Sequence, residues 1–276
     1  MTSQRPTAPP GPRRIRRPVP GPAKPSRGPR PAPPRESGPQ RIAKLLARAG
    51  IASRREIERM IEEGRIALNG ETLKTPATIL EDLAGVTVDG KPVAPPAAAR
   101  LYRFYKPPQT LTAAHDPKGR ATIYDRLPAG LPRLMPVGRL DYMTEGLLLL
   151  TNDGELKRQL ELPSTGVVRT YRARAFGDVT QAALESLAEG VTIDGVRYGS
   201  IDANMERRTG RNCWIELSLT EGKNREVRNV LAHLGLQVSR LIRTSYGPFT
   251  VEGLAPAEVG EVQREVLFQF RRTLKT

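Results

Sequence analysis

The sequence predicts an α+β protein: a small basic helix-and-hairpin module, then a larger domain built on a mixed, mostly antiparallel sheet. Three observations lead there. Two short apolar stripes at helical spacing lie between Gln40 and Gly64, each closed by a glycine. Two strand-like runs enter Asn69-Gly70 and Asp89-Gly90, the dipeptides favoured in two-residue hairpin turns. Beyond residue 100, strand-like runs alternate with capped helical patterns.

Residues 1–39 hold 13 prolines, nine basic residues and one acid, Glu36. With so few large apolar side chains they cannot build a core, and a disordered basic tail is expected. Order is expected from Gln40. Ile42, Leu45, Leu46 and Ala49 form a helical stripe that stops at Gly50. Ser53-Arg54-Arg55-Glu56 reads as a capping box, the serine accepting from the N3 amide and the glutamate reaching back. Ile57, Met60 and Ile61 then form a second stripe, ended by Gly64. Residues 40–92 make up this module, and Pro95-Pro96 with its alanines suggests a linker over 93–100.

The larger domain is expected over 101–254. Its candidate strands are 101–105, 147–151, 168–176, 213–219 and 237–243. Candidate helices are 153–161, 180–189 with Thr180 as cap, and 223–234, where Val227, Val230, Leu231 and Leu234 share a face. The run Leu147–Leu150 reads as a fully buried strand. Residues 255–276 are expected to end in a basic helix or tail with Arg271, Arg272 and Lys275.

A net charge of +15 in 276 residues points to a polyanionic partner, nucleic acid before an anionic membrane. No stretch of membrane-spanning length is apolar, and the N-terminus lacks the apolar core of a secretory signal. The single Cys213 excludes an intrachain disulfide and fits the cytoplasm. His115 and His233 stand apart, so the usual zinc spacings are missing, and no glycine-rich nucleotide loop occurs. The expectation is a cytoplasmic monomer that binds RNA without metal, small-molecule cofactor or membrane.

Residues 138–154 are the most informative stretch. Asp141 follows Gly138-Arg139-Leu140 and precedes four leucines, so it sits on a loop feeding the core. Read alone, it either caps the Thr144–Gly146 turn or carries chemistry. The stretch resembles the active-site signature of the RsuA/RluB family of bacterial rRNA pseudouridine synthases, in which this aspartate is catalytic. Likewise, Arg41-Ile-Ala-Lys-Leu-Leu-Ala-Arg-Ala-Gly-Ile-Ala-Ser-Arg-Arg-Glu56, with Glu62-Glu63-Gly64-Arg65 after it, resembles an S4 RNA-binding domain. That resemblance implies a basic face for structured RNA, with Arg41, Lys44, Arg54, Arg55 and Arg65 as candidates. Without it, such a run reads as a solvated charged face.

The family resemblance implies a pseudouridine-synthase fold and an isomerisation of uridine. The C1′–N1 bond breaks, the base turns and C5 is joined to C1′, with no redox change and no energy source. The target base must leave the stack for Asp141 to reach its sugar. A carboxylate in a pocket that excludes water needs a cation nearby to stay ionised. The resemblance assigns that part to Arg228, in Glu221-Gly-Lys-Asn-Arg-Glu-Val-Arg228, and implies that Arg139 fills the space the base leaves. Tyr171, on a strand where a tyrosine is usually core filler, corresponds to the tyrosine that packs on the flipped base and handles the C5 proton. Lys223, Asn224 and Arg225 open a helix, either as a phosphate site or as simple capping. Leu217 packs against the base or in the core.

Glu145 lies four residues from Asp141, but a glycosidase pair needs two carboxylates at a fixed separation, which this loop spacing does not establish. Trp214 and His233 read as structural. The stretches Val238–Phe249 and Glu221–Arg228 resemble most closely the RluB branch, whose substrate is 23S rRNA. The alternatives are an RsuA-like enzyme for 16S rRNA and a non-catalytic S4-containing ribosome-assembly factor. The combination of Asp141, Tyr171 and Arg228 argues against the last.

Overall fold

The computed structural model describes residues 38–274; the expected basic tail lies outside them, except for Gly38 and Pro39. Strand β1 (Gln40–Arg41) leads into α1 (Ile42–Arg48), followed by α2 (Arg54–Glu62). The stripes read from the sequence face inward: Ile42, Leu45, Leu46, Ile57, Met60 and Ile61 are all buried in one core. Ser53 Oγ accepts the Glu56 amide at 3.2 Å. The Glu56 carboxylate is taken by Arg59 at 2.6 Å, so only the serine half of the capping box is seen.

Two hairpins complete the module: β2 (Ile66–Leu68) with β3 (Glu71–Thr72), and β5 (Val86–Val88) with β6 (Lys91–Pro92). Between them, β4 (Ile79–Leu80) pairs with β1. Asn69 and Gly70 have φ of 52° and 88°, and Asp89 and Gly90 have 49° and 75°. Both central residues of each turn are thus left-handed, which is why Asn-Gly and Asp-Gly occur there.

The second domain runs through β7 (Leu101–Lys106), β8 (Met135–Pro136), β9 (Thr144–Thr151), α3 (Gly154–Glu161), β10 (Arg169–Phe176), α4 (Gln181–Glu185), β11 (Val191–Ile193), β12 (Val196–Tyr198), β13 (Ile201–Thr209), β14 (Asn212–Leu219), α5 (Glu226–His233), β15 (Gln237–Tyr246), β16 (Phe249–Thr250), β17 (Val259–Glu261) and α6 (Arg264–Thr273). The main sheet has the order β13-β14-β10-β15-β9-β7-β17. Only β9 and β15 run parallel in it, so the sheet is mixed and mostly antiparallel. Every residue of β9 is buried, as a leucine run flanked on both sides requires.

The parallel contact depends on Gly146. Its φ is +101°, and a Cβ there would lie 2.3 Å from the Arg243 carbonyl oxygen. No side chain fits at that distance, so glycine is what lets β15 dock on β9. One core packs α4 and α5 against β10, β13 and β14; another gathers Leu147, Leu149, Leu156, Leu160 and Leu267 around α3 and α6.

Several boundaries differ from expectation. The helix expected at 180–189 is α-helical only to Glu185 and continues as a 3-10 turn to Glu189. The helix expected from 223 begins at Glu226, because Arg225 is left-handed with φ 52°. Residues 255–262 are not tail: β17 pairs with β7 and extends the main sheet past residue 254. Strand β13 was not expected, since its Asp202, Asn204, Glu206 and two arginines are poor strand formers. It sits at the sheet edge, where one side faces water and such residues are tolerated. Arg48 of α1 lies 3.7 Å from Asp153, which caps α3 through its other oxygen, so the two domains meet at a charged contact.

Candidate active site

Asp141 stands on the loop between β8 and β9, at the edge of a cleft of about 830 Å³. Three clamps hold that loop by its backbone. Glu161, at the end of α3, accepts the Gly138 amide at 2.7 Å. Thr112 Oγ1 donates to the Leu140 carbonyl at 3.0 Å and accepts the Leu140 amide at 3.3 Å. The buried Lys106 donates to the carbonyls of Thr144, Pro107 and Tyr142 at 2.7, 3.0 and 3.4 Å. The Asp141 carbonyl also accepts the Thr144 amide at 3.0 Å, closing the turn that leads into β9. The backbone is therefore fixed on both sides of the carboxylate, while the carboxylate itself stays about one-third exposed.

The floor comes from adjacent strands. Tyr171 on β10 is in register with Leu217 on β14 and Arg243 on β15, and Arg243 pairs in turn with Gly146 on β9. Tyr171 lines the cleft beside Arg243. Arg243 is buried, with Nε donating to the Leu147 carbonyl at 2.7 Å and the guanidinium 5.2 Å from the centre of the Tyr246 ring. Burial pushes the Tyr246 hydroxyl above its usual range. Desolvation pulls the Lys106 ammonium down to about 8, and the nearby carboxylates of Asp141 and Glu145 oppose this only in part.

The residues singled out in the sequence fall into two groups. Asp141, Arg139, Tyr171, Lys223, Asn224 and Arg225 all line the cleft. Arg139 is exposed and, among the described residues, makes no hydrogen bond or ion pair. Leu217 is fully buried in the core; Leu219, two residues on, reaches the cleft. Arg228 does not make the expected contact with Asp141. Its guanidinium donates to the Val238 carbonyl at 3.3 Å, and the ion pair to Asp141 comes from Arg225 at 3.4 Å. The reason is the left-handed Arg225, which ends the loop and turns its own side chain toward the carboxylate. Burial lowers the Arg228 guanidinium, Arg225 adds to this, and Asp141 opposes it, so Arg228 still feels the carboxylate.

The phosphate site expected at residues 223–225 is also altered. Glu226 Oε2 already accepts the Lys223 amide at 2.9 Å, and the Lys223 ammonium pairs with Glu221. In the S4-like module, Arg41, Arg54 and Arg55 are exposed and Lys44 is half-buried. Arg65 is held by Asp89 through two 2.8 Å bonds. Glu145 is committed to Arg240, at 2.7 and 3.1 Å, and to the Tyr105 hydroxyl. That fixes it as structural. Trp214 is covered by the Arg172 guanidinium at 5.1 Å, and His233 is exposed at the end of α5. Among the described residues no cluster of histidine, cysteine and carboxylate side chains is suited to a metal ion, and no helix is long and apolar enough to cross a membrane.

The sequence profile of the RNA pseudouridylate synthase family matches residues 100–233, and that of the S4 domain matches residues 40–82. An uncharacterized RNA pseudouridine synthase of Rickettsia bellii is 42% identical over 227 residues, covering 82% of this chain and 98% of the relative. The chain belongs to the S4-linked RNA pseudouridine synthase family. The ribosomal large subunit pseudouridine synthase B of Escherichia coli O157:H7 is 42% identical over 219 residues, covering 75% of this chain and 74% of the relative. A crystal structure of a pseudouridylate synthase shares the fold, with a TM-score of 0.58 and 23% identity over 83% of this chain and 98% of that one.

Among the side chains of the synthase's cleft and its supports that sequence reasoning passed over are Lys106, Thr112, Glu161, Arg169, Glu226 and Arg243. A signal existed for three of them. Lys106 is in phase with Tyr102 and Phe104, Arg169 with Ala173 and Ala175, and Arg243 with Leu241, all buried. A charged residue at an inward position of an alternating strand marks a built polar site. Glu161 and Glu226 carry no such signal, because their roles depend on loops packed from elsewhere.

Proposed function

We propose that this synthase converts a uridine of 23S rRNA to pseudouridine, with Asp141 as the reacting carboxylate. What carries the reading is the clamped Asp141 loop beside Tyr171 and Arg225, in a chain closely related to large-subunit synthases. Holding the backbone on both sides of a one-third-exposed carboxylate prepays the orientation that attack on the sugar demands. In this reading Asp141 acts at the sugar while the C1′–N1 bond breaks. Tyr171 packs on the flipped base and, once C5–C1′ has formed, relays the proton that C5 loses, its hydroxyl passing its own proton on as N1 gains one. Arg139 enters the gap left in the RNA stack. Arg41, Lys44, Arg54 and Arg55 supply phosphate contacts from the S4 domain. The size of the cleft supports this, since it admits a whole nucleotide rather than a base alone.

The deciding experiment is tritium release from C5-labelled uridine in 23S rRNA fragments. Asp141→Asn should abolish release and leave RNA binding nearly intact, because the amide keeps the shape and loses the charge. Release at the wild-type rate removes Asp141 from the chemistry. No release by the wild-type protein on 23S fragments, with release on 16S fragments, moves the substrate to the small subunit. Absence of release on both favours a non-catalytic assembly factor.

A further inference from the structure

Glu226 is a buried acid in the cleft that the chemistry above does not use. It is the first residue of α5 and only 4% exposed, and it lines the same cavity as Asp141 and Tyr171. Its two oxygens differ. Oε2 accepts the Lys223 amide at 2.9 Å. Oε1 is buried and has no hydrogen-bond partner among the described residues. A buried polar atom left unpaired is costly, and such atoms in a site call for a function.

No neighbouring cation takes up that oxygen. Arg169 is close enough to act on Glu226 through its field. Its guanidinium, however, is bonded to the carbonyls of Thr220, Glu221 and Val167 and to the Tyr246 hydroxyl. The Lys223 ammonium is turned away, onto Glu221 and over the Tyr198 ring. Burial, with Glu221 adding to it, pushes the Glu226 carboxyl up from the usual carboxylate range; the Lys223 amide, Lys223 and Arg169 oppose it. The neutral acid is therefore favoured more than at a surface glutamate, and a neutral acid has one proton to donate.

We propose that Glu226 is a specificity residue that reads the flipped base, its Oε1–H donating to O4 of uracil. Uracil presents a carbonyl oxygen at that position, where cytosine presents an amino group. A single donor therefore accepts one base and leaves two donors facing each other with the other. Enzymes that extrude a base commonly read it by hydrogen bonds to its pairing edge. The inference rests on the synthase reading above and adds the group that tells uridine from cytidine.

The test uses the full-length protein and 23S rRNA stem-loops carrying uridine, cytidine or 4-thiouridine at the modified position. Wild type and Glu226→Gln, whose side-chain amide still donates, should prefer the uridine RNA over the cytidine RNA by at least about tenfold in competition. Glu226→Ala should lose most of that preference, with KM for the uridine RNA rising more than kcat falls. A purely structural role in holding the Lys223 amide would weaken binding of both RNAs alike. If the alanine variant is unfolded by circular dichroism, the 4-thiouridine RNA decides. Its sulfur is a poorer acceptor, and wild-type affinity should drop severalfold. An alanine variant that keeps the uridine preference, or a 4-thiouridine RNA bound as tightly as uridine, overturns the assignment. Loss of tritium release by the wild type would instead overturn the synthase reading, so the two failures are distinct.

Discussion

Glu161 accepts the amide of Gly138 at 2.7 Å, three residues ahead of Asp141. The same carboxylate is paired with Lys157 one turn back on α3. One side chain thus ties the end of a packed helix to the loop that carries Asp141. The other end of α3 is capped by Asp153, which meets Arg48 of the S4 domain.

Removing that tie should slow the reaction more than it weakens binding. A hydrogen bond to a charged group is worth ~1.5–3 kcal/mol, which at ~1.4 kcal/mol per decade is roughly a 10–100-fold effect. Glu161→Ala is expected to lower the saturating single-turnover rate by that factor, with little change in RNA affinity. Glu161→Gln keeps an acceptor and should restore most of the rate. Equal losses in rate and affinity would mean that Glu161 serves the RNA surface instead.

The two arginines near Asp141 separate in the same assay. The Arg225–Asp141 pair is largely exposed, with side chains 52% and 33% accessible. Exposed pairs are worth ~0–1 kcal/mol, so Arg225→Ala should cost less than about fivefold in kcat/KM. Arg228 is half-buried and desolvated, and among the described residues its guanidinium is bonded only to the Val238 carbonyl. Excluding water from the cleft strengthens its pull on Asp141. Arg228→Ala is expected to lose roughly 10–100-fold, in line with the ~1.5–3 kcal/mol of a hydrogen bond to a charged group, because it leaves the Val238 carbonyl without its donor and removes the desolvated charge near Asp141. The reverse ranking would make Arg225 the partner that matters.

The contrast between these arginines also marks the limit of the sequence. Hydrophobic periodicity located α1, α2, β9 and β10 because burial of one face repeats at a fixed spacing. Turn chemistry located both hairpins because left-handed backbone selects Asn-Gly and Asp-Gly. The Gly138–Asp141 motif and Tyr171 were legible as a motif, and they do meet in one cleft. Which arginine faces Asp141 was not legible, since it depends on the φ of a single residue, Arg225. Glu161 and Glu226 were invisible for a related reason: each bonds a backbone amide, and amides carry no sequence identity.

Lys106 gives the enzyme a pH dependence whose sign is determined. Its folded pKa of about 8 lies below the unfolded value of 10.5. Below pH 8 the lysine is charged in both states and the folded protein bears the desolvation cost. Between pH 8 and 10.5 the unfolded chain binds the extra proton, so this group's contribution to stability rises with pH. Wild type should therefore gain stability relative to Lys106→Met between pH 7.5 and about 9.5 in urea titrations. Activity should move the other way. The neutral amine loses one of three donors to the Pro107, Tyr142 and Thr144 carbonyls, loosening the Asp141 loop as pH passes about 8. A flat pH–stability difference would show that Lys106 titrates as an ordinary lysine, and one of opposite sign that folding raises its pKa instead of lowering it.

Residues 1–39 carry a net +8 of the chain's +15 and no candidate catalytic group. Their deletion should weaken RNA association and leave the chemistry untouched. Each phosphate contact they supply contributes about 0.7–0.9 to the slope of log affinity against log salt, through release of a bound counterion. The truncated protein should therefore bind with a shallower slope, and its affinity deficit should shrink as salt rises. Its saturating single-turnover rate should equal that of the full chain, because the clamps on the Asp141 loop come from Lys106, Thr112 and Glu161. Binding measured at several salt concentrations beside the single-turnover rate checks both statements. An unchanged slope would make these residues a passive arm. A collapsed saturating rate would instead place part of the active complex in the tail, ahead of the boundary at about residue 40.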